Sequence, residues 1–214
     1  TSSNVAENDY PVWSAGTAYT VGQRVIRPTI HKVYERVVAG TTPNAPEVDT
    51  VNWVFVSYTN RWKMFDEKGG SSTTNTTSVD VTITPNAIFN SLVLLGLDAQ
   101  TVQVIVTDPV EGQVFNQTYT LTSYYGVTNW YRYFFEPINR KSSLIIPLPS
   151  YSSATVRVII TDTSGVAGVS TMVLGSVTSL GDTQYGTSVG ITSYSIKERD
   201  KFGNISIVPR PYAD

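Results

Sequence analysis

Apolar and polar residues alternate with a period of two over much of the chain beyond residue 78. Val79, Val81 and Ile83 alternate with polar residues, and the same alternation recurs over residues 102–106 and 156–160. This period is typical of β-strands with one buried face. Runs rich in β-branched and aromatic residues predict further strands at 91–95, 115–121, 131–135, 143–146 and 171–174. Many short strands separated by turn residues predict a β-sandwich over residues 79–180.

Two of these strands repeat each other. Residues 101–108, TVQVIVTD, and residues 155–162, TVRVIITD, agree at six of eight positions. One interpretation is that both are central strands under the same packing demand. The other is a pseudo-symmetric pair of sheets, each of which ends in a turn that begins with an aspartate.

The segment before residue 67 has a different pattern, because aromatic residues are dense between Tyr10 and Asp66. Residues 67–78, EKGGSSTTNTTS, contain no apolar side chain and include a Gly-Gly pair, which predicts a linker. The predicted organisation is an all-β chain with a small aromatic-rich module and its N-terminal extension (1–66), the linker (67–78), the sandwich (79–180) and a C-terminal arm (181–214).

The C-terminal arm has its own pattern. Two strands are predicted, at residues 188–195 and 205–208, on either side of a charged run at 197–201 and a Phe-Gly-Asn turn. Two strands are too few to fold alone, so the arm is expected to pack on the sandwich or to add strands to a neighbouring subunit. The residues predicted to serve this assembly role are Tyr185, Tyr194, Lys197, Glu198, Arg199 and Phe202.

Composition narrows the classes of function. The net charge is −2, from 15 basic and 17 acidic residues, which lacks the basic surface that nucleic-acid binding requires. There is no cysteine, so disulfides and thiolate metal sites are excluded. The most apolar stretch, residues 88–97, is about half the roughly 20 residues of a membrane span, so no span is expected.

Catalytic patterns are weak. The single histidine, His31, lies in a predicted strand, which favours a surface or hydrogen-bonded histidine over a catalytic one. No motif distinguishes the carboxylates Glu111, Glu136, Asp98 and Asp108 as a glycosidase pair. Asp108 and Asp162 fit calcium ligands less well than the first residues of turns. We therefore expect no enzyme activity, no cofactor and no metal.

The most specific motif lies in the N-terminal module. Trp13, Gly16, Tyr19, Gly22 and Val25 follow the spacing W-x2-G-x2-Y-x2-G-x2-V, and Tyr34, Pro43 and Trp53 come after them. The motif resembles the small chitin- and cellulose-binding modules of bacterial chitinases, and similar modules in the tail proteins of tailed bacteriophages.

This resemblance implies that Trp13, Tyr34, Trp53 and, just past the module, Trp62 bind carbohydrate. A module of about 50 residues also needs aromatic rings for its core, so the same rings are expected to be core residues first. Where chitin-binding members carry adjacent aromatic residues, this chain has Glu35-Arg36-Val37-Val38-Ala39. Docking of another protein is therefore an alternative to sugar binding.

A second resemblance covers most of the remaining chain. The segments 60–66 (NRWKMFD), 130–137 (WYRYFFEP) and 181–191 (GDTQYGTSVGI), together with Phe202-Gly203, are similar to uncharacterised proteins encoded among phage tail genes. The resemblance implies a virion location and a structural component of the tail tip, baseplate or fibre attachment. Its expected partners are other tail proteins and, in three- or six-fold symmetry, further copies of itself. The alternative is a receptor-binding, lectin-like protein that recognises host surface polysaccharide.

Overall fold

A computed structural model describes residues 1–66, 68, 70–123, 129–135, 139–178, 196–199 and 205–208. The chain divides into two compact units, Thr1–Val177 and Thr178–Asp214. The predicted all-β class is confirmed, since nearly all regular structure in both units is antiparallel strand.

The described residues of the first unit form strands and two short helical segments. Its helical segments are a 3₁₀ helix at Asn60–Phe65 and a short helix, α1, at Trp130–Phe135. Its strands are β1 (Ser2–Ser3), β2 (Ala18–Tyr19), β3 (Arg24–Arg27), β4 (Lys32–Arg36), β5 (Gly40–Thr41), β6 (Trp53–Tyr58), β7 (Thr73–Ile83), β8 (Phe89–Leu95), β9 (Thr101–Asp108), β10 (Gly112–Thr120), β11 (Thr122–Ser123), β12 (Asn139–Arg140), β13 (Ser143–Tyr151), β14 (Thr155–Val169) and β15 (Thr171–Gly175).

Two sheets form the predicted sandwich. A five-stranded sheet has the order β1-β7-β14-β9-β10, and a three-stranded sheet has the order β13-β8-β15. Alternate residues of the central strands are fully buried, as the period of two predicts. The shared core includes Val79, Val81, Val102, Val104, Val106, Val156, Val158 and Ile160 from the first sheet and Leu92, Leu94 and Ile146 from the second.

The repeated strands lie next to each other. β9 and β14 are antiparallel neighbours in the five-stranded sheet, with Val104 opposite Val158. The interpretation as two central strands under one packing demand is confirmed. The pseudo-symmetric pair of sheets is wrong, because both copies belong to the same sheet.

The predicted linker is partly wrong. Residues 73–78 are the first half of β7, and Thr73–Thr76 pair with Val166–Val169 of β14. β14 therefore runs to Val169, and its register with β7 shifts between Thr161 and Val166, where residues 162–165 lie opposite the single residue Thr77. The Thr, Asn and Ser side chains of residues 73–78 give no apolar alternation, so the pairing of this strand leaves no periodic signal in the sequence.

Residues 131–135 are also different from the prediction. The sequence predicts a strand, whereas Trp130–Phe135 form α1. Aromatic residues are enriched in strands, and a helix of six residues is too short to show a period of 3.6.

The second unit contains a β-hairpin, as predicted for the arm. β16 (Ile196–Arg199) pairs antiparallel with β17 (Ile205–Val208). Lys197, Glu198 and Arg199 lie within β16 rather than beyond the end of a strand. The predicted strand at 188–195 and the candidate assembly residues Tyr185, Tyr194 and Phe202 lie outside the described residues.

Residues at both ends of the aromatic-rich module join it to the sandwich. β1 pairs with β7, and Val5 is buried in the sandwich core. In the 3₁₀ helix, Met64 is buried in the same core, while the side-chain amide of Asn60 bonds both backbone groups of Thr74, at 2.7 and 3.0 Å. The sandwich is thus completed by residues that precede and follow the strands of the module, β2–β6.

We call the contacts that the N-terminal segment (residues 2–7) and the 3₁₀ helix make with the sandwich and with each other the joint. Truncation of Met64 tests this joint. We expect Met64→Ala to lower the free energy of unfolding by about 2–4 kcal/mol, because it opens a cavity in the sandwich core. Lys63→Ala is the matched control from the same helix, and its effect should stay within about 0.5 kcal/mol. Urea unfolding measures both variants, and equal small losses would show that Met64 does not hold the joint.

Candidate functional site

The module is built around a small aromatic core. Two antiparallel sheets, β3-β4-β6 and β2-β5, surround Tyr19, Val25, Tyr34 and Trp53, with Trp13 and Ile30 packed at the side. The rings of Tyr19 and Trp53 meet edge to face, with centroids 5.0 Å apart. Large rings supply most of the buried area here, as expected for a module of this size.

Arg36 is the largest fully buried side chain of the described chain. Its guanidinium lies over the ring of Trp53, 4.9 Å from the centroid, and Nη1 donates to Oγ1 of Thr42 at 3.3 Å. Nε is buried without a hydrogen-bond partner, and no carboxylate of the described residues forms a salt bridge with Arg36. The contact with Trp53 and the bond to Thr42 therefore offset part of the cost of burying this charge.

Trp13 lies beside an ion pair. The guanidinium of Arg27 is 5.0 Å from the centre of the Trp13 ring and forms two bonds to Glu47, at 3.0 and 2.7 Å. Burial raises the pKa of the nearby Tyr34 hydroxyl, and the negative charge of Glu47 adds to this rise. The Arg27–Glu47 ion pair thus covers the side of the aromatic core where Trp13 packs.

Trp62 belongs to the joint rather than to the module core. Its ring stacks on the imidazole of His31, with centroids 4.1 Å apart. Nδ1 of His31 lies 3.0 Å from Oε1 of Glu7, which also accepts a hydrogen bond from the Thr59 hydroxyl at 2.8 Å. His31 is a hydrogen-bonded histidine, the alternative that the sequence favours over a catalytic one.

These positions bear on the four residues predicted to bind sugar. Trp13, Tyr34 and Trp53 come together in one cluster, and Trp62 lies apart from it. Tyr34 and Trp53 are buried, so neither offers the exposed ring face that stacking on a sugar requires. Sugar binding by these residues stays a prediction.

A polar cavity on the module is a site that the sequence did not predict. Its volume is about 300 Å³, and its lining is Asp9, Tyr10, Arg24, Val33, Ser57, Tyr58 and Lys63. Arg24 holds one wall in place, since its Nη1 donates to the Tyr10 hydroxyl at 3.2 Å and its Nε to Glu35 at 2.8 Å. The lining comes from several separate segments of the chain, so no motif could have revealed the cavity.

Of the carboxylates weighed as catalytic or metal ligands, Glu136 lies outside the described residues and the others have structural partners, with Glu111 bonded by Tyr151 and Asp98 by Arg140. Asp108 accepts the backbone N–H groups of Val110 and Glu111, which lower the pKa of its carboxyl. Bonds from Ser164, and then from Arg140, lower the pKa of Asp162. Within the described ranges, no three His, Asp or Glu side chains cluster in a way that could hold a metal ion.

The exposed aromatic surface of α1 is the other feature that the sequence missed. Trp130, Tyr131, Phe134 and Phe135 expose between 66% and 76% of their surface. Trp130 stacks on Phe134 and Tyr131 contacts Phe135, so the helix presents two ring pairs. We call these four residues the α1 aromatic patch.

Among the described residues, no helix has the length and apolarity needed to cross a membrane.

Comparison with known proteins gives little further information. No family model and no curated protein matches the chain. A solved chitosan-binding module 1 from a chitosanase/glucanase of Paenibacillus sp. IK-5 is 12% identical, with a TM-score of 0.36 over 53% of this chain and 83% of that module. A selenomethionine-labelled mutant of the same module is 11% identical, with a TM-score of 0.36 over 53% and 82%. A TM-score of this size supports no inference about fold or ligand.

Two substitutions of Arg36 test whether its charge stabilises the module. We expect Arg36→Met to keep the free energy of unfolding within about 1 kcal/mol, because an apolar side chain of similar length fills the site without a buried charge. Arg36→Ala should lose about 3 kcal/mol through the cavity that it leaves against Trp53. Urea unfolding followed by tryptophan fluorescence measures both, and equal losses would show that the charge itself is required.

Proposed function

We propose that this chain is a non-catalytic structural component of a bacteriophage tail, at the tail tip, the baseplate or a fibre attachment. In this role, copies assemble with symmetry and dock other tail proteins. The observation that carries the proposal is the α1 aromatic patch, with its four exposed rings. Aromatic residues are enriched in the buried centres of protein interfaces, and an exposed apolar patch marks a surface that a partner covers.

The sequence resemblance supports the tail as the place of assembly. The α1 residues Trp130, Phe134 and Phe135 belong to one of the segments that are similar to proteins encoded among tail genes. The 3₁₀ helix, with Trp62 and Met64, lies in another of these segments and forms the joint. In this proposal, the segment 130–137 contains the docking surface, and the segment 60–66 connects the module to the sandwich. Both roles fit a structural protein.

Immunogold electron microscopy tests the proposed location. An antibody raised against the folded chain is applied to purified particles from the source lysate, and label on the tail is the expected result. Its position at the tip, collar or fibre base would separate receptor binding from an adaptor role. Particles with intact tails but no label, by several antibodies against different surfaces, would contradict the proposal.

The α1 aromatic patch has its own test in the same particles. We expect Tyr131→Ser combined with Phe135→Ser to reduce incorporation of the protein into tails at least about tenfold, because the interface loses two anchoring rings. Val110→Ser is the control, since Val110 is an apolar side chain that is 91% exposed in the turn after β9. Quantitative blotting of purified particles measures incorporation. Equal incorporation of both variants would show that α1 is not the docking surface.

A second candidate function is receptor binding to host surface polysaccharide, which the polar cavity favours. Two tyrosines line a space of about 300 Å³ together with cations, a carboxylate and a hydroxyl. Flat rings and several hydrogen-bonding groups are what a saccharide unit requires of its site.

A matched pair of variants tests this candidate. Titration calorimetry with polysaccharide extracted from the host surface should show binding that Tyr58→Ala weakens at least about tenfold, while Tyr131→Ala, outside the cavity, has no effect. Equal affinities of the two variants would exclude the cavity as the binding site. The absence of any binding would exclude the lectin function for that polysaccharide.

A further inference from the structure

β10 (Gly112–Thr120) is the last strand of the five-stranded sheet. It pairs with β9 on one side, and among the described residues no strand pairs with its other side. Within the described part of the chain, the outer edge of this nine-residue strand therefore has backbone N–H and C=O groups that no other strand pairs with. Such an edge is a template for pairing with another chain.

The composition of β10 does not prevent this pairing. Its sequence, GQVFNQTYT, contains no charged residue and no proline, the two kinds of residue that commonly protect an edge strand. Asn116, Gln117 and Thr118 are exposed and uncharged. The Asn116 Oδ1 already accepts a hydrogen bond from Gln103, and the Gln117 Oε1 accepts one from the Tyr119 hydroxyl. From Phe115 to Thr120 the pairing with β9 keeps a continuous register, so this part of the strand is regular.

The opposite edge of the same sheet is covered. β1 pairs with Val81 and Thr82 of β7, and the Asn4 side chain bonds the backbone of Ser78 and Asp80 at 3.0 and 2.8 Å. Further along β7, Asn60 bonds the backbone of Thr74.

One edge strand of the other sheet, β13, is protected in a different way. β13 carries Pro147 and Pro149, and proline cannot donate to a further strand. By comparison with these two edges, β10 contains no blocking residue, and no strand of the described ranges pairs with its outer side.

We propose that β10 pairs antiparallel with β10 of a second copy of this chain, about a two-fold axis at Thr118, so that residues 116–120 of one copy lie opposite residues 120–116 of the other. In such a contact each strand faces its own copy, so any charge on the strand would face a like charge. β10 carries none. The paired residues lie in the regular part of the strand, beyond the register shift between Gln113 and Phe115.

The contact joins two five-stranded sheets into one continuous sheet of ten strands. It uses neither the α1 aromatic patch nor the arm, and it does not depend on a location in a virion. Because a two-fold contact pairs the copies, the assembly it forms has an even number of chains.

Sedimentation velocity of the full chain over a concentration series tests the proposal. We expect the wild type to form dimers, or larger assemblies with an even number of copies. Thr118→Lys should weaken the association at least about tenfold, because two lysines then face each other across the axis. Thr107→Lys is the matched control: Thr107 is also exposed, but it lies on β9, which has partners on both sides.

Charge complementation separates a lost contact from a misfolded variant. Thr118→Glu alone should also weaken the association, and an equimolar mixture of the Thr118→Lys and Thr118→Glu proteins should restore it. A wild type that stays monomeric, an assembly of three copies, or variants that assemble as the wild type does would each overturn the proposal. The last two results would leave the proposed tail function intact, with the copies meeting elsewhere.

Discussion

The first unit depends on one constraint: the segments on both sides of the module strands are buried in the same sandwich core. Before the module, Val5 enters the sandwich core, and after it Met64 enters the same core. Between them, Glu7 accepts a hydrogen bond from Thr59 and lies against His31, so the two segments are also bonded to each other. The module is therefore a long insertion whose two ends are held by one hydrophobic core.

In this arrangement, the centre of the module serves packing, and the surfaces of the first unit are available for contacts with partners. The rings that define its sequence motif are used for packing, with Trp53 between Tyr19 and the guanidinium of Arg36. Tyr34 and Trp53 are buried in this core, while Trp13 is partly buried at its side. The features that remain available to a partner are the polar cavity, the α1 aromatic patch and the open edge of β10. Two of these three are suited to contacts with proteins.

The sequence predicted the parts of the fold that leave a periodic signal. Alternating valines located the central strands, and the aromatic motif located the core of the module. The sequence predicts a linker where the first half of β7 lies, because its Thr, Asn and Ser residues pair through the backbone and give no apolar alternation. α1 was taken for a strand, because its aromatic residues favour strands and the helix is shorter than two turns.

The candidate sites were harder to predict than the fold. The cavity brings together residues as far apart in sequence as Asp9 and Lys63, and only the folded chain defines it. Arg36 stands on a strand among charged and apolar neighbours, and nothing in that pattern indicates that its side chain is fully buried. The openness of β10 depends on which strands lie beside it, a property of topology rather than of local sequence.

The most direct test of the joint is whether the module and the sandwich unfold together. Hydrogen exchange, followed residue by residue by NMR, compares the amides of Val25 and Tyr34 in the module with those of Val104 and Val158 in the sandwich. If one core holds both ends of the module, the most protected amides of the two parts should exchange with free energies within about 1 kcal/mol of each other. A module whose amides exchange several kcal/mol more readily than those of the sandwich would contradict this account.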